Sequence, residues 1–382
     1  MKTLRLMAVL IGSLVFAQMA LADWSPVRRI TWTSGGSCNP AIAIDSSGYL
    51  HVVWHNFASG DAEIYYKKST NGGASWSANQ RLTWTANGSY DPDIAVASSG
   101  RVHVVWHDYT SGNYEIYYRG STDGGTSWLP SQRLTWTPVM SKSPTIAVDG
   151  VDRIHVVWDD SAPGNPDVYY RRSVTGGASW TPTQRLTRTS GNSFFPAIAC
   201  SPAGHLHVVW SDDTSGEYEV YYQAGADGGA TWSSPQRLTW NSGRSDRPAI
   251  AVHSSGLLHV AWWDTTPGLA EIYYKNSPDG GVSWTSARRL TWTPGNSYFP
   301  AIKLGFSGQL HLVWDDLAGS NYEIFYKKST DGGATWGSTQ RRTWTSGGSK
   351  NPAIAFDSSG DLHVVWYDYT PGDSEIYYLK GH

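Results

Sequence analysis

The stretch L-H-V-V-W-H-N-F-A-S-G-D-A-E-I-Y-Y-K-K-S-T-N-G-G-A-S-W, from Leu50 to Trp76, decides the fold because the chain repeats it. The tryptophan of H-V-V-W, or of H-V-A-W and H-L-V-W in the fifth and sixth copies, stands at Trp54, Trp106, Trp158, Trp210, Trp262, Trp314 and Trp366, seven times at intervals of 52 residues. A proline ahead of each A-I-A-like run keeps the same step, at Pro40, Pro92, Pro144, Pro196, Pro248, Pro300 and Pro352. An unbroken period of this length marks a repeat architecture, in which one supersecondary unit buries its apolar faces only against its neighbours.

Within one copy, Ala41-Ile42-Ala43-Ile44 reads as a strand near the hub, and Asp45-Ser46-Ser47-Gly48 as a turn. Leu50 to Trp54 is the second strand, Glu63 to Lys68 the third and Gln80 to Trp84 the fourth. No amphipathic helix interrupts the series. The predicted fold is all-β, a seven-bladed β-propeller of four-stranded antiparallel blades. Residues Trp24 to Trp32 match a fourth strand with no first three before it, whereas the last copy, Pro352 to Tyr378, has three strands and no fourth. The N-terminal strand is therefore expected to complete the last blade and remove the free sheet edges. Of the 21 tryptophans, seven belong to H-V-V-W or its variants H-V-A-W and H-L-V-W, seven end a Gly-rich turn or stand at its equivalent position (Trp24), and six follow R-L-T or its variants R-I-T and R-R-T; all are expected to serve inter-blade packing first.

Ahead of the repeats, Lys2, Arg5, an apolar run from Leu6 to Ala17 and Ala20-Leu21-Ala22 predict a signal peptide over residues 1–22, cleaved near Ala22. The expected product is a secreted or periplasmic chain, residues 23–382, forming a single propeller. Lys and Arg number 29 against 32 Asp and Glu, a net charge of −3 that becomes −5 once Lys2 and Arg5 are removed. That balance argues against nucleic acid as a partner, and no segment predicts membrane insertion. A monomer is expected. Cys38 and Cys200 fall in copies on opposite sides of the ring and predict two free thiols.

The turns Ser121-Thr122-Asp123-Gly124-Gly125-Thr126-Ser127-Trp128 and Ser329-Thr330-Asp331-Gly332-Gly333-Ala334-Thr335-Trp336 resemble the Asp-box, or BNR repeat, S-x-D-x-G-x-[ST]-W. Six such turns span the repeats. The resemblance implies a propeller of the kind found in sialidases, other carbohydrate-active proteins and lectins, with Asp-boxes joining third and fourth strands on the face away from the ligand. Asp123, Asp227, Asp279 and Asp331 are accordingly expected to be structural, closing their own turns. Asn71 and Thr175 replace the aspartate in two copies, and Gly225 replaces the serine in a third. The sialidase pattern further implies an arginine triad, a Tyr-Glu pair and an acid/base aspartate. The nearest match to its first arginine is Asp246-Arg247-Pro248, with Arg244 as a possible companion, and no third arginine stands out.

Three residue sets recur once per blade. His51, His103, His155, His207, His259, His311 and His363 are kept apart by the ring, so each is expected to bond within its blade; no cofactor or metal is predicted. Glu63, Glu115, Asp167, Glu219, Glu271, Glu323 and Glu375 recur with Arg29, Arg81, Arg133, Arg185, Arg237, Arg289 and Arg341, as charge pairs inside blades. Asp108, Asp160, Asp212, Asp264, Asp316 and Asp368 follow the second strand, either as turn caps or as ligand-face acceptors for sugar hydroxyls. The pair before each proline varies instead: Cys38-Asn39, Tyr90-Asp91, Lys142-Ser143, Phe194-Phe195, Asp246-Arg247, Tyr298-Phe299, Lys350-Asn351. Aromatic and charged members of this set are suited to stacking on pyranose rings and bonding their hydroxyls. The function expected is a non-catalytic, lectin-like binding of glycans or glycoconjugates at repeated sites on the loop face. An exo-sialidase or related glycoside hydrolase, and a protein-interaction scaffold, are the alternatives.

Overall fold

The computed structural model describes residues 24–382 apart from Pro163, Pro202 and Phe306; the leader assigned to residues 1–22 lies outside them. The described residues form seven antiparallel sheets. In the first blade the strands run Ser37–Ile44 at the hub, Leu50–Ser59, Asp61–Ser69 and Gln80–Arg81 at the outside. This order recurs around the ring, and the fourth sheet gains a short fifth strand, Thr231–Trp232. The seventh blade, Ser349–Phe356, Leu362–Asp368 and Glu375–Gly381, receives its outer strand from Arg28–Arg29, with Arg28 opposite Tyr378 and Arg29 opposite Tyr377. Closure by the N-terminal strand is as the repeat boundaries predict. A partly buried ion pair, Arg29 to Glu375 at 2.5 Å, reinforces it.

Second strands such as Val102–Asp108 bury every residue, because a blade packs a neighbour on both faces. Val53, Ile64, Tyr66 and Leu82 of the first blade thus share a core with Ile94, Val102, Val104 and Trp106 of the second. Inside each blade the acidic residue near the start of the third strand is buried and paired with an arginine. Glu63 accepts from Arg81 at 2.7 Å, from the Thr83 hydroxyl and from the Thr85 amide at 2.7 Å.

Neighbouring blades are fastened at the Gly-rich turns. Trp128 lies edge-on against Tyr66 of the preceding blade, ring centroids 5.0 Å apart, and its indole N–H reaches Gln80 at 3.1 Å. The Tyr66 hydroxyl shares a 2.7 Å hydrogen bond with His51, so the histidines are bound within their blades. Trp76 and Tyr378 repeat the contact across the chain ends at 5.3 Å. Asp123 closes its turn through the Ser127 hydroxyl at 2.5 Å and amide at 2.8 Å, which hold its carboxyl down to about 2. In the fourth blade, Gly225 supplies no hydroxyl for the turn; Asp227 takes a positive φ of 52° and the extra strand forms there.

One expectation is corrected. The tryptophans after R-L-T are not packed between blades: Trp32, Trp84, Trp136, Trp240, Trp292 and Trp344 are 65–70% exposed. The outer strands hold only two paired residues, Gln80–Arg81 in the first blade, and the next residue that turns inward is Leu82 rather than Trp84. The two cysteines are free thiols.

Two outcomes follow from this packing. A Cβ on Gly125 meets the Tyr66 hydroxyl at 2.0 Å on a backbone with φ of +85°; Gly125→Ala should lower unfolding free energy by roughly 1–3 kcal/mol in urea titration, with Gly48→Ala, in open space, costing less. Burial depresses His51, His103, His155, His207 and His259 from 6.5 to about 4. The unfolded chain binds protons first as pH falls, so stability is full above 6.5 and declines toward 4. Each histidine should add a slope of about 1.4 kcal/mol per pH unit in that window, measurable by urea unfolding across pH.

Candidate functional site at the mouth of the central channel

The loops between second and third strands and those between blades meet on one face, as in the hydrogen bonds from the Phe57 amide to Gly36 and the Tyr109 amide to Gly88, each 3.1 Å. At the centre of that face the channel opens into a depression of about 650 Å³, lined by the seven prolines and the residue before each: Asn39, Asp91, Ser143, Phe195, Arg247, Phe299 and Asn351. The opposite end, about 550 Å³, is lined mainly by repeated Ile, Ala and Val, interrupted by Lys303, His253 and Ser254.

All seven pre-proline residues adopt φ of 48–52°, the left-handed region. A following proline disfavours helical φ/ψ, and a bulky residue at positive φ is uncommon, so a phenylalanine or arginine here carries strain of order 1–3 kcal/mol. The register shift of each inner strand, between Tyr90 and Asp93 in the second blade, marks the bulge that turns these side chains toward the axis. Several are clamped from the preceding blade through their amides: Arg247 donates to Ser211 at 3.0 Å, Phe195 to Asp159 at 3.3 Å and Asn351 to Asp315 at 3.3 Å.

Those clamping residues occupy the position after the H-V-V-W tryptophan: His55, His107, Asp159, Ser211, Trp263, Asp315 and Tyr367. The sequence reading missed them. Their signal is variation at one position of an otherwise constant second strand. Burial pushes the Asp159 carboxyl up to about 7 and raises Asp315 well above the usual range, and Asp315 Oδ2 has no hydrogen-bond partner. Burial takes His107 down to about 4, although Asp91 opposes the shift. Asp91 itself is held below its ordinary value: burial opposes this, but His107, His55 and a 2.5 Å hydrogen bond from Asn39 outweigh it.

Within each varied pair, only the second member reaches the mouth. Tyr90 packs on His55 and His107, Phe194 lies near Tyr218, and Tyr298 meets Trp263 edge-on. Asp246 is buried, accepting from Ser211 at 2.6 Å and from Arg244. Arg244 rests over Tyr218 and beside Trp263, so it does not join Arg247 in the mouth. Arg247 is held between Phe195 at 3.8 Å and Phe299 at 4.8 Å, and among the described residues its guanidinium has no ion-pair partner. Asp108, Asp160, Asp212, Asp264, Asp316 and Asp368 lie elsewhere, buried inside their blades. Each accepts from a serine and a tryptophan or a turn amide, as Asp160 does from Ser141 at 2.6 Å and Ala162 at 2.9 Å. Among the described residues no group of three or more His, Cys, Asp or Glu is placed to hold a metal ion.

The sequence model of the BNR repeat-like domain matches residues 61–312. No curated protein sequence matches the chain. Among solved structures, an ulvan lyase of polysaccharide lyase family PL25 bound to -[GlcA(1-4)Rha3S]- superposes with a TM-score of 0.67 at 13% identity, over 93% of this chain and 96% of that one. The GH93 α-L-arabinofuranosidase of Fusarium graminearum gives 0.60 at 12% identity, over 94% and 98%. The intramolecular trans-sialidase from Ruminococcus gnavus gives 0.53 at 12%, over 93% and 97%. At these identities the likeness is one of fold.

The Asp159 carboxyl supplies a test of this geometry. Raised from 3.8 to about 7, it binds a proton in the folded state that the unfolded chain has released, so stability falls as pH rises through that window. Asp159→Asn should raise stability by roughly 2–4 kcal/mol at pH 8 and leave it nearly unchanged at pH 4, read from thermal melts at the two values.

Proposed function

The chain belongs to the BNR repeat-like family, and on that premise we propose that it is an exported glycan-binding propeller whose central mouth takes an acidic sugar. The observation that carries the reading is Arg247. A guanidinium fixed between two phenyl rings, partly desolvated, and among the described residues in no ion pair, with Asp246 and Asp91 acting on it only from a distance, presents N–H donors to an anionic acceptor. A uronate or sialate carboxylate, or a sugar sulfate, meets that need. Asn39, Asn351 and Asp91 around the same rim are suited to ring hydroxyls. Fold relatives that act on carbohydrates agree with a saccharide as the ligand class.

A catalytic reading has its own support in the buried carboxyls Asp159 and Asp315 and in the Asp91–His55–His107 group, since raised carboxyl values and His–Asp neighbours suit proton transfer. Against it stands the lone arginine of the mouth, where the sialidase pattern implies three.

Binding to an array of uronate-containing, sialylated and sulfated oligosaccharides beside their neutral counterparts tests the proposal. Acidic probes should bind, and Arg247→Ala should weaken them about 10-fold to 100-fold, the loss of one charge-assisted bidentate contact. Equal binding of neutral and acidic probes, or indifference to Arg247→Ala, overturns it. Release of reducing ends or unsaturated products from a bound probe would replace the lectin reading by the enzymatic one.

A further inference from the structure

Six exposed tryptophans in a propeller of this size call for a reason, because large apolar rings are seldom left in water without use. Their surroundings repeat with two departures, Phe325 in place of the facing tyrosine beside Trp292 and Leu379 in place of the second cation beside Trp344. Trp84 forms one wall of a cleft of about 330 Å³ between the first and second blades, with Tyr117 opposite, Trp106 and Asp108 at the floor, and Thr85, Thr110, Arg119 and Ser131 on the rim. Trp136 repeats the arrangement one blade on, about 270 Å³, with Tyr169, Trp158 and Asp160.

Five of the six rings are held in place from two blades; Trp344 has Arg341 alone, 5.5 Å away, because Leu379 stands at the equivalent position of the next blade. Arg81 lies 5.7 Å from the Trp84 centroid and Arg119 of the next blade 5.8 Å, and Arg119 is itself anchored to the Leu82 carbonyl. Trp32, Trp240 and Trp292 have the same pair of cations, Lys67, Lys275 and Lys327 being anchored to Ile30, Leu238 and Leu290. At 65–70% exposure a ring still turns one face to solvent. The second wall is preorganised too, since Tyr117 stacks on the buried Trp106 with centroids 6.0 Å apart.

We infer that these inter-blade clefts are a second, repeated set of carbohydrate sites, each stacking one pyranose ring on its tryptophan while hydroxyls and the Tyr and Thr groups of the rim exchange hydrogen bonds. The clefts are too small for a folded partner's element, are separated from one another by whole blades, and combine an aromatic platform with a polar rim, the composition a sugar ring requires. They take neutral sugars, because the cations beside each tryptophan are already bound to backbone carbonyls. Individually weak, they act together on a ligand that repeats the sugar. The seventh position carries Arg188, so one cleft, beside Tyr221 and Gln223, lacks the platform and serves as an internal control. The inference rests on the glycan-binding reading but not on the mouth.

The test is fluorine NMR on the full mature chain labelled with 5-fluorotryptophan, titrated with methyl glycosides of glucose, galactose, mannose, fucose and N-acetylglucosamine. One glycoside should move the six exposed resonances together at millimolar concentration and leave the buried H-V-V-W resonances in place; Arg188→Trp should add a seventh. On polyacrylamide carrying the responding glycoside, a Trp84→Phe/Trp136→Phe variant should keep most of its binding, whereas alanine at Trp84, Trp136, Trp240 and Trp292 should lose about 10-fold or more with an unchanged melting curve. Silence of all six resonances, or movement with protein concentration in place of sugar, overturns the inference. Acidic-glycan binding that still depends on Arg247 would in that case leave the mouth standing, and loss of that dependence with the tryptophan shifts intact would do the reverse.

Discussion

The contact between one blade's turn tryptophan and the preceding blade's tyrosine governs the rest of the molecule. Trp128 on Tyr66, and the same pair through to Trp76 on Tyr378, sets how closely the blades approach at their outer edge. The turn fits only because Gly125 and its counterparts have no side chain where the tyrosine hydroxyl sits. That hydroxyl binds the H-V-V-W histidine, which fixes the second strand beneath it. A wedge fastened this way repeats around the ring and closes, and the last fastening crosses from one chain end to the other, so that among the described residues the sheets end outward on strands of only two residues.

Uniform wedges deliver uniform backbone to the hub, and the mouth gains its character from side chains alone. Seven pre-proline residues share one strained conformation regardless of whether asparagine, phenylalanine or arginine occupies it. The strain is sustained by amide hydrogen bonds from the neighbouring blade and by a ring that cannot relax one wedge without moving the others. Chemical individuality is thereby confined to two concentric sets, the residues facing the axis and the buried ones clamping them. The outer clefts follow the opposite rule, with nearly the same side chains in six places. The two surfaces therefore differ in kind, one varied at every blade and the other repeated around the wall.

Blade number, strand order and closure were legible in the chain because they depend on periodicity: a 52-residue step without insertion leaves one way to bury Val52, Trp54, Ile64 and Tyr66, and half-repeats at both ends leave one way to finish the ring. Part of the mouth was legible as well, since Asp91, Phe195, Arg247 and Phe299 vary in a constant setting. Asp159 and Asp315 were hidden, lying in a strand that looks like core, where their distinction is desolvation and not spacing.

The sequence by itself determined the repeating unit, its count and its partners within the blade, because each of these is set by which residue types recur at fixed separation. Only the tertiary structure decided which way a side chain faces once strands twist and blades pack. The bulge before each proline sends the second residue of the pair to the axis and the first away from it. The two-residue outer strand leaves Trp84 and its five equivalents in solvent, and packing from both sides buries Asp108 and its equivalents away from the central mouth, because direction and burial are properties of neighbouring blades that no single repeat contains.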